Sequence, residues 1–345
     1  MENKIVLKNI YKAFGNQKPI IENMNLEIEK ESFTVLLGPS GCGKSTILRM
    51  IAGLEEPTEG DIIMGGNSVR DIEPGKRNVA MVFQNYALYP TMTVKENIEF
   101  GLKNMKLPKE EREERINNAS KSLGIIEFLN RKPQQLSGGQ RQRVALARAL
   151  VKKPDVFLMD EPLSNLDAKL RSQIRVDLIE LHQKLKSTFV YVTHDQVEAM
   201  SMGTEIVLLE RGRIKQQGTP EAIYNLPENM FSAKFIGSPP MNILPLNVLN
   251  EGKTSISHIG FRPEKAYIDS DLSELKDVYS FYGKVTAKEM LGDQKIFKVK
   301  TEFGNIQVKS FDERKISMGN CVVRVDNRNI HYFDENGNRV AKTLS

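Results

Sequence analysis

The chain has 345 residues, of which 40% are hydrophobic and 27% charged, and its formal net charge is +5. This length exceeds what one hydrophobic core usually organises, so we expect two domains. The composition is that of an ordinary soluble globular protein and argues against a disordered chain. Charges of both signs are interleaved, which favours a solvated mixed surface over a surface built for nucleic acid.

The sequence also limits where the protein acts. Its two cysteines, Cys42 and Cys321, are too few for a disulfide framework or a four-ligand zinc site. The first residues lack the charged-then-apolar profile of a signal peptide. No apolar run approaches the roughly 18 residues that span a bilayer. We therefore expect a cytosolic chain whose association with a membrane depends on partners.

Short apolar runs alternate with helical stretches from the N-terminus to about residue 235. We predict helices at 44–51 and 140–151, and a mainly helical insert over about 88–153, in which Leu123-Gly124 is a candidate helix stop. The predicted buried parallel strands are 33–37, 79–82, 156–159, 189–192 and 206–209. This alternation predicts an α/β domain with a mostly parallel sheet. The opening runs 5–7 and 26–28 read as antiparallel edge strands.

A second domain is predicted after Phe235. The cluster Gly237-Ser238-Pro239-Pro240 is a breaker and a candidate domain junction. Beyond it, Gly, Asn and Asp separate five β-type runs: 281–286, 295–300, 306–309, 321–325 and 330–333. Such runs suggest a small β-barrel or sandwich. The expected domains are therefore 1–235 and 236–345.

Residues 38–46, which we call the phosphate loop, begin with a G-x-x-x-x-G-K-S motif between a predicted strand and a predicted helix. Glycines let the backbone wrap around phosphate oxygens, and the helix N-terminus supplies positive potential. We expect Lys44 to reach the β and γ phosphates and Ser45 to bind Mg²⁺. The expected nucleotide-binding residues here are Gly38, Pro39, Ser40, Gly41, Cys42, Gly43, Lys44, Ser45 and Thr46.

The apolar run 156–159 ends in two carboxylates. Asp160 is expected to hold Mg²⁺ through its water shell, and Glu161 to polarise the attacking water as general base. An apolar strand that ends in Asp-Glu is common by itself and is often a capped strand. The phosphate loop elsewhere in the same domain favours the catalytic interpretation.

Residues 136–140 read Leu-Ser-Gly-Gly-Gln, and we call them the signature segment. This string, placed between the phosphate loop and the carboxylate strand, resembles the signature of ABC ATPases. It opens a predicted helix, so its serine and glycine amides are expected to bind an anion. The resemblance implies that this anion is the γ-phosphate held by an opposing subunit, contacted by Ser137, Gly138, Gly139 and Gln140.

The resemblance implies roles for further residues. Gln84 contacts Mg²⁺ and relays the nucleotide state to membrane subunits. Asp167, in the interface loop 164–167, crosses a dimer interface, and His194 contacts the γ-phosphate. Phe14 stacks on adenine, although Tyr11 is close enough in sequence to be confused with it. The catalytic set implied in this way is Glu161, His194, Gln84 and Lys44, with Ser45, Gln84 and Asp160 around Mg²⁺.

The resemblance extends over the whole chain. Residues 1–235 resemble an ABC nucleotide-binding domain, and residues 236–345 resemble the OB-like accessory domain of maltose-type importer ATPases. Strings at 235–242, 260–264 and 331–334 resemble the carbohydrate branch. The implied function is an ATPase at the cytoplasmic face of the membrane that drives import of oligosaccharides or glycerol-phosphate compounds. Importers of polyamines, sulfate or iron remain the alternative.

This family also implies cofactors and partners. The cofactors are ATP and Mg²⁺. The partners are integral membrane permease subunits, a second ATPase subunit forming a homodimer and, indirectly, an extracytoplasmic solute-binding protein.

Other proteins share parts of the pattern. A GTPase or kinase shares the phosphate loop but lacks the signature segment, and the guanine-reading N-K-x-D string is absent here. A soluble ABC protein acting on ribosomes or nucleic acid usually has two cassettes or a long coiled coil, whereas this chain has one cassette and no sustained heptads. The β domain has no aromatic and basic stripe for stacking bases, so we expect no nucleic-acid partner. Exporter ATPases seldom carry such a C-terminal domain.

Overall fold

A computed structural model of the protein describes residues 4–15, 17–245, 256–269, 271, 273, 276–311 and 316–341. The chain divides into two compact units, Met1–Pro220 and Glu221–Ser345. This division falls before the junction near residue 235 that the sequence predicts. Among the described residues, no helix combines the length and the apolar character needed to cross a membrane.

The first unit alternates strands and helices in the way the sequence predicts. In chain order its elements are β1 (Ile5–Lys12), β2 (Ile21–Ile28), β3 (Phe33–Leu37), α1 (Lys44–Ala52), β4 (Glu59–Met64), β5 (Asn67–Ser68), β6 (Val79–Val82), α2 (Val94–Asn104), α3 (Lys109–Ser122), α4 (Gly138–Leu150), β7 (Val156–Asp160), α5 (Ala168–Leu185), β8 (Thr188–Thr193), α6 (Gln196–Met202), β9 (Glu205–Glu210) and β10 (Arg213–Gly218). Short 3₁₀ turns lie at Pro74–Lys76, Ile126–Phe128 and Pro133–Gln135.

A six-stranded sheet in the order β10-β9-β3-β8-β7-β6 forms the centre of this unit. The strands from β9 to β6 pair in parallel, and β10 pairs antiparallel with β9. Every residue of β3, β7 and β8 is buried, because helices cover a parallel sheet on both faces. The α/β prediction is confirmed. The carboxyl ends of β3, β6, β7 and β8 lie at one edge of the sheet, so the loops that follow them meet there.

The opening strands belong to a separate antiparallel sheet in the order β2-β1-β4-β5. Ile5 pairs with Ile28 and Leu7 with Leu26, so the predicted antiparallel pairing is confirmed. The prediction of an edge position is wrong for β1, which lies between β2 and β4. The physical reason is burial: Ile5 and Leu7 share one core with side chains of α1, and a buried strand needs backbone partners on both sides.

The chain between β6 and β7 is helical. The first of its helices, α2, begins with a capping box in which Thr93 Oγ1 accepts from the Glu96 amide at 3.2 Å. In return the Glu96 carboxylate accepts from the Thr93 amide at 2.7 Å, which satisfies two amides that the helix leaves free. At the far end of α3, Gly124 adopts a left-handed conformation with φ of 61°. This is the helix stop that Leu123-Gly124 predicts.

The second unit is rich in strands. Its elements are α7 (Pro220–Asn225), α8 (Met230–Phe235), β11 (Asn242–Pro245), β12 (Ile256–Phe261), β13 (Ala266–Asp269), β14 (Val278–Leu291), β15 (Gln294–Thr301), β16 (Gly304–Ser310), β17 (Gly319–Asp326), β18 (His331–Asp334) and β19 (Arg339–Val340), with 3₁₀ turns at Pro263–Lys265 and Asn327–Asn329. They form two antiparallel sheets, β11-β12-β18-β19 and β13-β17-β14-β15-β16. Phe261, Phe281, Phe297 and Val323 lie in their shared core. The predicted OB-like, strand-rich domain is confirmed.

Arg262 explains why α7 and α8 pack with the strands of the second unit. Its side chain is 3% exposed and donates to the carbonyls of Tyr224 at 2.7 Å, Ala233 at 3.1 Å and Ile236. The guanidinium also lies 4.1 Å from the centre of the Tyr224 ring, whose hydroxyl donates to Glu264 at 2.6 Å. A buried cation is stable only when it is hydrogen-bonded, so Arg262 holds residues 224–236 against the strands. The string at 260–264 therefore has a structural role within this unit.

Candidate functional site

The phosphate loop follows β3 and leads directly into α1, as predicted. Gly41 and Gly43 have φ of 77° and 103°, a left-handed region that a residue with a Cβ rarely adopts. Gly38 is required for a different reason, because a Cβ there would lie 2.3 Å from the Leu209 carbonyl oxygen. Pro39 and Ser40 lie between these glycines, and the loop presents them at least partly to solvent. The glycines are thus required by the shape of the loop itself.

Lys44 is the cation of this loop. Its side chain is buried, and Nζ donates to the carbonyls of Gly38 at 2.9 Å and Pro39 at 2.8 Å. Within the described part of the chain, no carboxylate lies within 4 Å of it. A buried ammonium without a counter-ion attracts an anion strongly, because the low local dielectric screens its charge poorly. The positive end of α1 adds to this attraction.

Cys42 packs within the same loop. Its thiol is buried, and burial raises the pKa of the thiol, although the nearby Lys44 acts in the opposite direction. The thiol therefore stays neutral at ordinary pH and fills space beside Gly38. The side chain of Cys42 thus packs within the loop, and its predicted contact with nucleotide stays a prediction.

Ser45 and Asp160 come together although 115 positions separate them in the sequence. Ser45 lies in the first turn of α1, and Asp160 is the last residue of β7. The Ser45 hydroxyl donates to Asp160 Oδ1 at 2.6 Å. A hydroxyl and a carboxylate in contact are the hard oxygen ligands that Mg²⁺ prefers, so these residues fit the predicted metal site. Thr46 follows on α1 and is partly exposed.

Glu161 and His194 form a pair at the same edge of the sheet. Glu161 follows β7, His194 follows β8, and His194 Nδ1 lies 3.2 Å from Glu161 Oε2. The Glu161 amide donates to the Val192 carbonyl at 3.1 Å, which fixes the backbone at the strand end. Glu161 has φ of 44°, which costs a non-glycine residue about 1–2 kcal/mol. The fold thus holds the backbone of Glu161 in a strained conformation that places its carboxylate beside the imidazole.

Gln84 is exposed at the end of β6 and joins this pair indirectly. Its amide nitrogen donates to Ser164 Oγ at 3.2 Å, and Ser164 Oγ donates to the Glu161 carbonyl at 2.9 Å. The Gln84 carbonyl accepts from Asn165 at 3.0 Å. Gln84 is therefore bonded to the interface loop, and none of its hydrogen bonds in the described structure reaches Ser45.

The signature segment lies at the N-terminus of α4, which begins at Gly138, two residues before the predicted start. Ser137 Oγ accepts from the Gln140 amide at 3.3 Å, and Gln140 Oε1 accepts from the Ser137 amide at 2.8 Å. A Cβ on Gly139 would lie 2.6 Å from the side chain of Leu170, so that side chain of α5 would have to move to admit a larger residue there. The hydrogen bonds of Ser137 and Gln140 do not extend to residues 38–46 of the same chain.

Asp167 ends the interface loop and caps α5. Its Oδ1 accepts from the Leu170 amide at 3.0 Å, and the residue is exposed. Within this chain its observed contact is therefore that of an ordinary helix cap.

The aromatic candidates Phe14 and Tyr11 differ in exposure. Phe14 is 38% exposed, and Lys12 Nζ lies 4.6 Å from the centre of its ring. Tyr11 is a strand residue of β1, opposite Glu59 of β4, and it is less exposed. Phe14 offers the freer ring surface for stacking.

A group of residues near His194 was not expected from the sequence. Glu198 is 3% exposed, and its Oε2 accepts from Tyr191 at 2.9 Å and from Thr193 at 2.7 Å. Burial raises the pKa of the Glu198 carboxyl. Arg171 of α5 approaches the same carboxylate from the other side. The one available signal was a glutamate four residues after His194 on a short helix, and such a pattern is too common to be informative.

Three features now lie together: the phosphate loop, the oxygens of Ser45 and Asp160 that suit a metal, and the carboxylate–histidine pair of Glu161 and His194. Together they are typical of a P-loop nucleotide hydrolase. The profile of the ABC transporter family matches residues 21–164. The sn-glycerol-3-phosphate import ATP-binding protein UgpC of Brucella abortus biovar 1 (strain 9-941) is 47% identical over 98% of this chain and 99% of its own length. The oligosaccharides import ATP-binding protein MsmX of Bacillus subtilis (strain 168) is 48% identical over 84% of this chain and 85% of its own length.

A solved structure agrees with these sequence matches. The dimeric bacterial ABC transporter cassette MJ0796 is 36% identical, with a TM-score of 0.57, over 63% of this chain and 98% of its own length. The same cassette has a dimeric structure of a post-hydrolysis state bound to ADP and Pi, with 35% identity and a TM-score of 0.56. The chain belongs to the family of ABC transporter ATP-binding subunits, and its enzymatic class is that of an ATPase.

Proposed function

We propose that this chain hydrolyses ATP to drive a membrane importer for oligosaccharides or glycerol-phosphate compounds. The observation that carries the cargo class is the near-full-length similarity to two import ATP-binding proteins, one for each of these cargoes. The similarity extends through the strand-rich second unit, where the three carbohydrate-type strings occur. Because these strings lie in the motor and not in a cargo pocket, they identify the branch of the family rather than a sugar-binding site.

The phosphate loop supplies the binding part of the mechanism. The glycine backbone and the N-terminus of α1 present amides and positive potential to the triphosphate. Lys44 would exchange its hydrogen bonds to the carbonyls of Gly38 and Pro39 for bonds to phosphate oxygens. Phe14 covers the adenine with its exposed ring.

Ser45 and Asp160 would hold Mg²⁺, and Gln84 would complete the set after releasing Ser164. When bound there, Mg²⁺ would neutralise the negative charge that develops on the phosphate during hydrolysis. The 2.6 Å contact of Ser45 with Asp160 supports this assignment, since the two oxygens already converge. The bond of Gln84 to Ser164 also supports a relay role, because Gln84 would have to give up this bond to reach the metal.

Glu161 acts as general base and accepts a proton from the attacking water. His194 holds the Glu161 carboxylate through the 3.2 Å contact, and it would also contact the γ-phosphate. The strained backbone at Glu161 supports a catalytic role, because strain of this kind persists where the surrounding structure imposes it.

The second half of each catalytic site comes from another copy of this chain. The signature segment, with Ser137, Gly138, Gly139 and Gln140, and Asp167 of the interface loop would contact the nucleotide of the partner. The exposure of Ser137 and Asp167 supports this arrangement. The homodimer binds integral membrane permease subunits at the cytoplasmic face of the membrane, and an extracytoplasmic solute-binding protein acts on the permease from the opposite side.

The catalytic part of the proposal is tested with Glu161→Gln. This substitution keeps the shape of the side chain but removes its basicity, so turnover falls about 10²–10⁴-fold while ATP binding is retained. The trapped ATP-bound dimer is measured by size-exclusion chromatography. Glu180→Gln, an exposed change on α5, is the matched control and leaves turnover unchanged. Normal turnover in Glu161→Gln would contradict the assignment.

The cargo is tested by uptake in cells that lack the gene. We expect loss of uptake of labelled oligosaccharides or of glycerol-phosphate compounds, restored by the unmodified gene and not by Glu161→Gln. A motor without a cargo pocket can serve several permeases, so we expect uptake of more than one sugar to be lost at once. Unchanged sugar uptake together with lost uptake of polyamine, sulfate or iron would overturn the cargo class and leave the ATPase intact.

A further inference from the structure

Behind His194 lies a buried carboxylate that the hydrolytic mechanism does not use. Glu198, in α6, accepts hydrogen bonds at Oε2 from the hydroxyls of Tyr191 and Thr193. Both hydroxyls belong to β8, the strand that ends at the turn carrying His194. The other oxygen, Oε1, faces Arg171 of α5. One oxygen of this carboxylate is thus tied to β8, and the other is directed at a different helix.

Arg171 connects this carboxylate to the interface loop. Its Nη2 donates to the Leu166 carbonyl at 3.1 Å, and its backbone amide donates to the Asp167 carbonyl at 2.8 Å. On the other side, Nη1 lies 3.6 Å from Asp195 Oδ2, and Nε lies 4.0 Å from Glu198 Oε1. The same guanidinium therefore contacts the loop that ends at Asp167 and both acidic residues that follow His194.

The distance from Arg171 Nε to Glu198 Oε1 is about 1 Å longer than that of a charge-assisted hydrogen bond. Nε of Arg171 is buried and has no hydrogen-bond partner in the described structure. An unpaired buried donor is unfavourable, so a small movement of α5 toward α6 would gain a hydrogen bond by closing this gap. The position of the interface loop and the closure of this pair are consequently coupled.

This group borders the catalytic pair. A polar cavity of about 50 Å³ is lined by Glu161, Ser164, Arg171, Thr193, His194, Asp195 and Glu198. Asp195 lies next to His194 and caps α6 by accepting from the Val197 amide at 2.7 Å. A shift of Asp195 or Glu198 would therefore act on the turn that carries His194.

We propose that Arg171 and Glu198 are positioning residues that couple the interface loop to His194. When the loop contacts the nucleotide of a second copy, Arg171 closes on Glu198 and Asp195 and sets the imidazole against Glu161. The inference rests on the proposed function, because it assumes that the loop ending at Asp167 meets the nucleotide of a partner subunit. It adds a route by which binding at one site orients the histidine at the other.

The test is the steady-state ATPase activity of the full-length chain carrying Arg171→Met. A misplaced catalytic group costs up to about 10²-fold, so we expect kcat to fall about 10–100-fold and the KM for ATP to change less than about two-fold. Arg171→Lys, which keeps the charge, recovers part of the loss. Arg175→Met is the matched control one turn further along α5, where the guanidinium contacts Ser172, and it leaves kcat unchanged.

Glu198→Gln supplies the second arm and carries the test alone if Arg171→Met does not fold. It keeps the acceptor for Tyr191 and Thr193 but removes the charge that faces Arg171, so we expect a similar loss of kcat. If the two residues act as one link, the double variant loses no more than the larger single loss. Losses that multiply, or a kcat of Arg171→Met within about two-fold of the unmodified chain, would overturn the link.

The outcomes separate this inference from the proposed function. If Glu161→Gln abolishes turnover while Arg171→Met does not, the link fails and the ATPase mechanism stands. If Glu161→Gln retains turnover, the mechanism itself is wrong. A loss of kcat in Arg171→Met together with a lowered thermal midpoint and weaker ATP binding would indicate a merely structural role and overturn the link.

Discussion

Replacing Arg262 with methionine removes the cation that joins residues 224–236 to the strands of the second unit. The change keeps an unbranched side chain of similar length, but it leaves the carbonyls of Ala233 and Ile236 without their buried donor. A hydrogen bond from a charged donor contributes about 1.5–3 kcal/mol. Two such bonds give a loss of about 3–6 kcal/mol, before the contact with the Tyr224 ring is counted.

This loss is measured as the midpoint of thermal unfolding of the full-length chain, by calorimetry. For a unit of this size, about 3–6 kcal/mol lowers the midpoint of its transition by roughly 10–25 °C. Arg328→Met is the control, because that side chain is 88% exposed and its ion pair with Asp326 is screened by water. Arg262→Lys retains the charge but lacks the planar guanidinium, so its midpoint is expected to lie between those of Arg262→Met and Arg328→Met. A midpoint for Arg262→Met equal to that of Arg328→Met would refute the reasoning.

Two further predictions concern assembly and pH. Ser137→Arg is expected to abolish hydrolysis while nucleotide binding at its own phosphate loop persists. Mixing this variant with a Lys44→Ala chain restores one intact composite site in each mixed dimer. Loss of nucleotide binding by monomeric Ser137→Arg would contradict a shared site. Burial, followed by the charges of Arg339 and Arg262, lowers the pKa of His331 from 6.5 to about 4. The folded state disfavours the protonated imidazole, so the free energy of unfolding is highest above about pH 6.5 and falls as the pH drops toward 4. After allowance for partial exposure, this free energy is lower by about 1 kcal/mol at about pH 5. Calorimetry at pH 7 and pH 5 checks it, and His331→Gln is expected to reduce the difference; an equal pH response in His331→Gln would show that other groups are responsible.

The sequence determined the elements whose signals are local. The phosphate loop is recognisable because its glycines are required by the backbone of the loop itself, as the positive φ of Gly41 and Gly43 shows. The strands β3, β7 and β8 are recognisable because burial on both faces demands a continuous apolar run. The helix stop at Leu123-Gly124 follows from the conformational freedom of one glycine. In each case neighbours in the sequence decide the structure.

The tertiary structure decided which distant residues meet. The contact of Ser45 with Asp160 depends on the order of strands in the sheet, and no local pattern specifies that order. The edge position expected for β1 was wrong because long-range burial against α1 placed strands on both of its sides. Likewise, Arg262 holds α7 and α8 in the second unit by donating to backbone carbonyls. Every residue has such a carbonyl, so no sequence pattern identifies these partners. Side chains such as Arg171 and Glu198, which belong to different helices, acquire a common role only when the fold brings those helices together.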